Sequence, residues 1–334
     1  MTPSLRRAVA AFGMLAVAGW AIAAPPSLEP ATRDQVWRRI FARPEIEIAT
    51  GKTGAQIAAQ AALGAKLFAD RRLSRDETTS CATCHDPAQA FTDGRERARA
   101  RDGTPLQRNT PTLYNLGQST AFFADGRVNS LEHQAIVPLT ATNEMGGELA
   151  TITAALRSDA ALAAEFAAAF PATPEVSDRT LIAAITAYER TLVSPGTRFD
   201  RWVEGDDTAL SQREQAGFSM FAGKGGCVGW HGGWRFTDDG FRDIGLPGDD
   251  PGRSAVVGGA ADLRQFKTPT LRELTRTAPY MHDGSLATLR QVVDHYAGGF
   301  VKRPSLDSNL VRDLSLSPEE KSALIAFLET LSSD

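Results

Sequence analysis

Cys81-Ala82-Thr83-Cys84-His85 is the stretch that decides the fold of this chain. Its C-x-x-C-H spacing is typical of a site at which haem c is attached covalently. Each thiol can bond to one vinyl group of the same porphyrin, and the adjoining imidazole can bind the iron from the proximal side. A disulfide or part of a zinc site is the alternative. The chain has only three cysteines and five histidines, so chance clustering explains the motif poorly, and we expect a haem protein.

The first 23 residues are typical of an export signal. Arg6 and Arg7 form a positive region, residues 8–23 are apolar, and Ala21-Ile22-Ala23 matches the small-residue cleavage pattern. The apolar stretch is short for a membrane span, which needs about 20 residues. No later segment is apolar enough to cross a bilayer. We therefore predict a signal peptide over residues 1–23, an exported protein of the periplasm, and no stable membrane insertion.

Removal of this signal leaves an acidic chain of two-domain length. Arg6 and Arg7 leave with it, so the net charge moves from -4 to -6. This balance argues against nucleic acid as a partner. About 310 residues remain, which is enough for two domains of ordinary size.

An internal repeat predicts how these residues are divided. Thr110-Pro111-Thr112-Leu113 recurs as Thr268-Pro269-Thr270-Leu271, and an Asp-Gly pair follows both copies at the same distance. The further matching landmarks are Gly64 and Phe68 with Gly217 and Phe221, Phe91-Thr92-Asp93 with Phe236-Thr237-Asp238, and Leu131 with Leu289. Their common order and spacing indicate a tandem duplication of a cytochrome c-like unit.

The hydrophobic pattern is helical, and alternating strand patterns are absent over any useful length. Ser211 with Glu214 has the spacing of a helix-capping box. Ser317-Pro318-Glu319-Glu320 predicts an N-cap, a proline at the first helical position and acids in the first turn. Ala-rich segments over residues 151–170 and 178–193 predict further helices. Ser194-Pro195-Gly196 then breaks the pattern. We predict an all-α fold of two tandem cytochrome c-like helical domains, residues 24–200 and 201–334, each built around a c-type haem.

The second haem motif, Cys227-Val228-Gly229-Trp230-His231, lacks its second cysteine. One thioether could still form at Cys227, with His231 on the iron. An empty site, a loosely held haem, and a sequence error at Trp230 are the alternatives. We favour a haem with at most one thioether, because the surrounding residues keep the repeat pattern.

The chain resembles the bacterial dihaem cytochrome c peroxidase family, including its MauG-type branch, over nearly the whole length that follows the signal. The motifs that carry the resemblance, besides the two haem motifs, are Arg108-Asn109-Thr110-Pro111-Thr112, Asp125-Gly126-Arg127, Asn143-Glu144-Met145, Gly223-Lys224 and Tyr280-Met281-His282-Asp283-Gly284. The resemblance implies two haem c groups, an N-terminal one that reacts with hydrogen peroxide and a C-terminal one that passes electrons to it.

Site residues follow from the resemblance. His85 would be the proximal ligand of the N-terminal haem, Glu144 the distal acid and base, and Gln134 its partner. A carboxyl group over the iron suits peroxide cleavage, because a proton must move from one peroxide oxygen to the other. The C-terminal haem would be bound by His231 and Tyr296.

Met281 and His282 are the competing ligands of the C-terminal haem. Asn109 would help to bind a calcium ion between the domains, together with carbonyl groups of residues 267–270, although a purely structural asparagine is an equal alternative.

Three positions bear on the choice within the family. Its peroxidases carry a distal histidine where this chain has Arg101, which implies an N-terminal haem open to peroxide without reductive activation. Tyr296 replaces the usual methionine, as in the MauG-type branch, and would lower the potential of the haem. Ala124 replaces a tryptophan that lies between the haems, which puts electron exchange between them in doubt.

Three functions remain open from the sequence. The first is a haem peroxidase that receives electrons from a small cytochrome c or a cupredoxin. The second is a MauG-like oxidase that uses peroxide to oxidise residues of a protein substrate. The third, favoured by the damaged second motif, is a non-catalytic electron carrier or mono-haem protein. We predict a peroxide-using oxidoreductase and leave its oligomeric state open, with a homodimer as one alternative.

Overall fold

The computed structural model describes residues 30–45, 53–310 and 314–333, and their regular structure is almost entirely helical. The predicted signal peptide lies outside the described residues. The helices are α1 (Pro30–Phe41), α2 (Gly54–Phe68), α3 (Cys81–Cys84), α4 (Leu131–Thr140), α5 (Leu149–Ser158), α6 (Ala160–Ala169), α7 (Asp178–Thr191), α8 (Arg198–Val203), α9 (Gln212–Ala222), α10 (Ser254–Val257), α11 (Leu289–Asp294) and α12 (Pro318–Glu329). The prediction of an all-α class is confirmed.

Strand structure is limited, within the described residues, to one short antiparallel pair. Strand β1 (Phe241–Arg242) pairs with β2 (Phe266–Lys267), and Phe241 lies opposite Lys267. No helix in this part of the chain has both the length and the hydropathy needed to cross a membrane.

Side-chain caps explain where several helices begin. The Ser211 backbone N–H donates to the Glu214 carboxylate at 2.7 Å, as the capping-box spacing predicts. The predicted N-cap Ser317 forms the same kind of box, because its N–H donates to Glu320 at 2.8 Å. The first Ala-rich segment differs from the prediction, because it forms two helices, α5 and α6. Asp159 separates them, since its carboxylate accepts the Leu162 N–H at 3.1 Å and so starts α6.

Two helix pairs form the frame, and each crosses at a glycine. A Cβ atom on Gly64 of α2 would lie 1.9 Å from the Ala184 carbonyl oxygen of α7. On Gly217 of α9 it would lie 2.0 Å from the Ala323 carbonyl oxygen of α12. Both glycines are repeat landmarks, so the sequence repeat corresponds to a repeated close crossing of two helix backbones.

The larger hydrophobic clusters follow these two pairs. One contains Leu63, Leu67, Phe166 and Leu181 with their neighbours, and the other contains Phe199, Phe218, Phe236 and Phe327. Helix α1 belongs to the second cluster, through Trp37 and Phe41. The Phe41 ring lies 4.8 Å from that of Phe236 and 5.5 Å from that of Phe199. The division of the chain at residue 200 stays a prediction. Helix α1 lies before this boundary but packs mainly against residues that follow it.

Candidate functional site

The first haem motif forms a short capped helix. Cys81 and Cys84 are the ends of α3, and the backbone N–H of Ser80 donates to the Thr83 hydroxyl at 2.9 Å. His85 follows directly, with its Nδ1 atom 2.9 Å from the carbonyl oxygen of Phe91. A carbonyl at this distance holds the proton on Nδ1 and leaves Nε2 as the ligating nitrogen, which is a common arrangement for histidines that bind metals.

The second motif repeats this geometry. The Nδ1 atom of His231 lies 2.9 Å from the carbonyl oxygen of Phe236. The Thr112 hydroxyl donates to the Ala90 carbonyl at 2.6 Å, and the Thr270 hydroxyl donates to the Arg235 carbonyl at the same distance. The loop that orients the histidine is therefore built in the same way in both halves, including the half that lacks a cysteine.

One cavity of about 850 Å³ brings the two motifs together. Its volume is at the upper end of the range of ligand pockets. We call the first group of its lining residues the N-terminal site and the second group the C-terminal site. The N-terminal site is Cys81, Cys84, His85, Gln134 and Glu144, and the C-terminal site is Cys227, His231 and Tyr296. Asn109 also lines the cavity, so every residue predicted for the site lies on its wall.

The cavity wall contains buried polar atoms without partners, which is unusual because buried polar groups are normally hydrogen-bonded. Five such atoms, counted among the described residues, line it: Thr79 Oγ1, Arg101 Nε, Thr110 Oγ1, Gln134 Oε1 and Glu189 Oε2. Apolar side chains such as Phe68, Leu113 and Ile185 cover other parts of the wall. Paired thiols, oriented imidazoles, an apolar wall and unsatisfied polar atoms fit a haem c, which has an apolar ring, an iron and two carboxylate arms.

Burial shifts the titratable groups of both sites toward their neutral forms. It lowers the pKa of His231 to about 4 and also lowers that of His85. Neutral imidazole is the form that binds metals. Burial, with the nearby Cys227 thiol, raises the pKa of Tyr296, while Arg242 opposes this shift.

Glu144 lies in the turn that follows α4. Its N–H donates to the Ala141 carbonyl at 2.9 Å, and the next N–H, of Met145, donates to Pro138 at 3.1 Å. Burial raises the pKa of the Glu144 carboxyl, and the positive charge of Arg127 opposes the shift. Gln134, on α4, also lines the cavity. Both residues predicted for the distal side therefore lie on the cavity wall.

Arg101 occupies the position of the distal histidine of the family's peroxidases, and its side chain lines the cavity and pairs with an acidic residue. Its Nη1 atom donates to Asp76 at 2.7 Å, and its backbone N–H donates to the Asn143 carbonyl at 3.1 Å. The second bond ties the Arg101 loop to the turn that carries Glu144. The pKa of Asp76 is lowered to about 2, mainly by the hydrogen bond from Arg101.

Tyr296 lies in a π turn, His295–Gly299, that continues from α11. Such turns are rare and frequently occur at functional sites. The competing ligand His282 instead stacks on Phe266, with ring centroids 3.5 Å apart and planes at 11°. His295 is held by a short contact of its Nε2 atom with the Ile244 carbonyl, 2.9 Å away.

Asn109 and Ala124 lie where the two halves meet. The Asn109 side-chain amide donates to the Arg95 carbonyl at 2.7 Å, and its backbone N–H donates to the His282 carbonyl at 2.8 Å. The Ala124 carbonyl accepts the Lys267 N–H at 2.7 Å. The backbone of Asn109 is therefore joined to the other half at His282, and the calcium site that includes the carbonyl groups of residues 267–270 stays a prediction.

Sequence reasoning missed two residues of this cavity. Arg242 follows the second motif and lies close enough to affect the pKa values of both His231 and Tyr296. Glu189 lines the N-terminal part of the cavity from α7. Neither residue belongs to a repeated landmark. Glu189 is followed by Arg190, and such a polar pair is typical of the exposed surface of a helix. No sequence pattern therefore distinguished Glu189 from solvent-exposed acids.

Comparisons with known proteins agree with this geometry. Residues 58–208 match the family model described as di-haem cytochrome c peroxidase. Methylamine utilization protein MauG of Methylorubrum extorquens is 42% identical over 297 residues, which cover 88% of this chain and 84% of that protein. Cytochrome c551 peroxidase of Nitrosomonas europaea is 34% identical over 280 residues, or 82% of this chain and 80% of that protein.

A solved structure shares the fold over most of its length. It is described as a MauG-like protein associated with microbial copper homeostasis and is 32% identical to this chain. The superposition has a TM-score of 0.78 and covers 88% of this chain and 94% of the other.

Proposed function

Because the chain belongs to the di-haem cytochrome c peroxidase and MauG family, we propose that it is a periplasmic dihaem oxidoreductase that reduces hydrogen peroxide at its N-terminal site. The electrons come from a small cytochrome c, a cupredoxin or a protein substrate. The observation that carries the proposal is one cavity with an oriented His85 and a buried Glu144 in the N-terminal site, and an oriented His231 in the C-terminal site.

A haem c at the N-terminal site would be held by thioethers at Cys81 and Cys84 and by the Nε2 atom of His85. When bound, this haem would supply the iron and the electrons for cleavage of the peroxide O–O bond. The Glu144 carboxylate accepts the proton of one peroxide oxygen and returns it to the other, so that water can leave. The Gln134 amide, which keeps a buried oxygen without a partner among the described residues, orients the peroxide by a hydrogen bond.

Cys227, His231 and Tyr296 would hold a second haem c with one thioether. The repeated loop around His231 supports this assignment, as does the position of Tyr296 on the same cavity wall. Burial favours the neutral phenol of Tyr296, and the positive charge of Arg242 opposes this effect without reversing it.

The remaining assignments are also proposals. A signal peptide over residues 1–23 supports a periplasmic location, and the amide of Asn109 at the junction of the two halves supports a calcium ion there. The substitution of Trp230 for a cysteine favours a second candidate function, a mono-haem electron carrier, because a haem with one thioether or none is held less securely.

Haem content and peroxide turnover separate these functions. The intact mass of the purified protein, with a pyridine haemochrome spectrum, should give two haems per chain. The protein should then consume peroxide with a reduced cytochrome or cupredoxin in a ratio of two electrons per peroxide. One haem and no turnover would instead support the electron carrier. Peroxide consumption that occurs only with a protein substrate, which becomes oxidised, would support the MauG-like activity.

A further inference from the structure

Glu189 is a buried carboxyl group to which the proposed function gives no role. It lies on α7, one turn after Ile185, and both side chains line the cavity. Glu189 is only 4% exposed, and its Oε2 atom has no hydrogen-bond partner among the described residues. An ionised carboxylate in such a place is costly, so burial favours the neutral acid.

Neighbouring charges do not compensate Glu189. Arg190, the nearest cation, donates to the carboxylate of Glu132 at 2.6 Å across to α4. The helices that pack against α7 carry three other charged or titratable groups, Lys66, His133 and Arg157. Lys66 pairs with Glu165, and Arg157 donates to the Val176 carbonyl. Burial raises the pKa of Glu189 to about 8, opposed by Arg190 and assisted by Glu132.

Glu189 lies between the first haem motif and the protein surface. On the inner side, Glu189 lies close enough to Cys81 to affect the pKa of its thiol, after the larger effect of burial. On the outer side, the Glu132 and Arg190 side chains of the adjoining ion pair are 47% and 31% exposed. A solvent-exposed carboxylate, Glu132, therefore lies near enough to the buried Glu189 to affect its pKa.

The chemistry of peroxide reduction requires such a supply. Conversion of one hydrogen peroxide to two waters consumes two electrons and two protons. Glu144 moves a proton that is already on the peroxide, so both consumed protons must enter the cavity from elsewhere. A cytochrome c or a cupredoxin, the small redox proteins named in the proposed function, supplies the electrons but no protons.

We propose that Glu189 is the proton reservoir of the N-terminal site, and this inference rests on the proposed peroxide reduction. Its carboxyl O–H bond breaks as the proton passes into the cavity, toward the oxygen that leaves as water. The carboxylate left behind is protonated again from solvent, past Glu132 and Arg190. Each turnover uses this route for the protons that the peroxide itself does not carry.

The test compares E189Q with the wild-type holoenzyme. Glutamine keeps the volume of the side chain and its polar end but cannot release a proton. The infrared spectrum of the wild type should contain the C=O band of a protonated carboxyl group, sensitive to deuterium, that is absent from E189Q and disappears above pH about 8. Peroxide reduction should slow at least about tenfold in E189Q below this pH. The decline of the wild-type rate as pH rises through about 8 should be absent from the variant.

Two further variants make the readout specific. E165Q removes a carboxylate from the exposed pair with Lys66 and should match the wild type in both measurements. E132Q should keep the infrared band but slow turnover, because the entry route is altered. A rate of E132Q equal to that of the wild type would overturn the entry route.

The outcomes also separate the reservoir from the proposed function. A wild-type holoenzyme that consumes no peroxide with any reductant overturns both. The reservoir alone is overturned if the wild type is active but E189Q has the same pH profile. It is also overturned if the active wild type lacks the infrared band. A purely structural role would lower the haem content or stability of E189Q and leave the shape of the pH profile unchanged.

Discussion

The guanidinium carbon of Arg242 lies 4.9 Å from the centroid of the Trp230 indole ring. Trp230 occupies the sequence position of the missing cysteine, and both members of this cation–π pair line the cavity. A cation near the ring makes removal of an electron from the indole less favourable. Trp230 is therefore a poor replacement for the tryptophan that is absent at Ala124, and its packing on Arg242 accounts for its position.

Restoration of the cysteine in W230C should secure the second haem. Cys227 and the new thiol would then have the same spacing as Cys81 and Cys84, so that both vinyl groups of the haem can react. We expect a larger fraction of chains to keep two haems after denaturation in acidic acetone. The pyridine haemochrome band should also shift to shorter wavelength as one more vinyl group is saturated.

W230F is the matched control for this variant, because it keeps an aromatic ring beside Arg242 but adds no thiol. It should have the haem content of the wild type. If both the wild type and W230C contain only one haem per chain, the C-terminal site does not hold haem.

Replacement of Glu144 should remove the acid–base step while leaving the site intact. E144Q keeps the volume of the side chain, and the turn around it is held by backbone bonds. We expect peroxide turnover to fall by about 100-fold or more, which is typical of the loss of a general acid–base group. Cyanide binding to the ferric protein should remain. E148Q, which removes an exposed carboxylate four residues later, serves as the control, and equal rates for the two variants would contradict the role of Glu144.

The glycine crossings predict unusual sensitivity to a single methyl group. Alanine normally stabilises a helix relative to glycine, by up to about 1 kcal/mol. At Gly64 the new Cβ would lie 1.9 Å from a carbonyl oxygen of α7, so the helices must separate. We expect G64A to destabilise the protein by about 1–3 kcal/mol in thermal or denaturant unfolding. G54A, at a position with no atom within 4 Å of the new Cβ, should be neutral or stabilising.

The buried Glu189 makes the stability depend on pH. The pKa of this group is about 8 in the folded protein, against 4.5 for a solvent-exposed glutamate such as that of the unfolded chain. Between these values the folded chain holds a proton that the unfolded chain has lost, so stability falls as pH rises through this window. The slope is at most about 1.4 kcal/mol per pH unit.

Unfolding free energies measured from pH 5 to pH 8 would test this linkage. The stability of E189Q relative to the wild type should rise steadily with pH, because glutamine carries no charge to desolvate. E165Q should show no such trend. A constant difference between E189Q and the wild type over this range would mean that Glu189 is not protonated in the fold.

Local patterns predicted the repeated parts of the fold. The landmarks Gly64 and Gly217 mark the two helix crossings, and the histidines of both motifs have the same carbonyl partner geometry. The N-caps Ser211 and Ser317 begin α9 and α12 as their sequence patterns indicate. These features depend on residues close together in sequence, or on a motif that occurs twice, so the sequence contains the information needed to find them.

Long-range packing could not be predicted in this way. Trp37 and Phe41 form an ordinary apolar face on a short helix. No nearby sequence pattern identifies Phe199 or Phe236 as their packing partners. Glu189 has the context of a surface residue, and its burial depends on the approach of α4 to α7. The break at Asp159 was missed because high helix propensity on both sides hid a side-chain cap.

The packing of α1 into the second core has a consequence for how the chain folds. During synthesis α1 is made first, but Phe199, Phe218 and Phe327, around which its core assembles, follow much later. Until those residues are present, the rings of Trp37 and Phe41 have no core into which they can pack. A gene divided at residue 200 would separate a core from its own first helix, so the two halves should fold better together than apart.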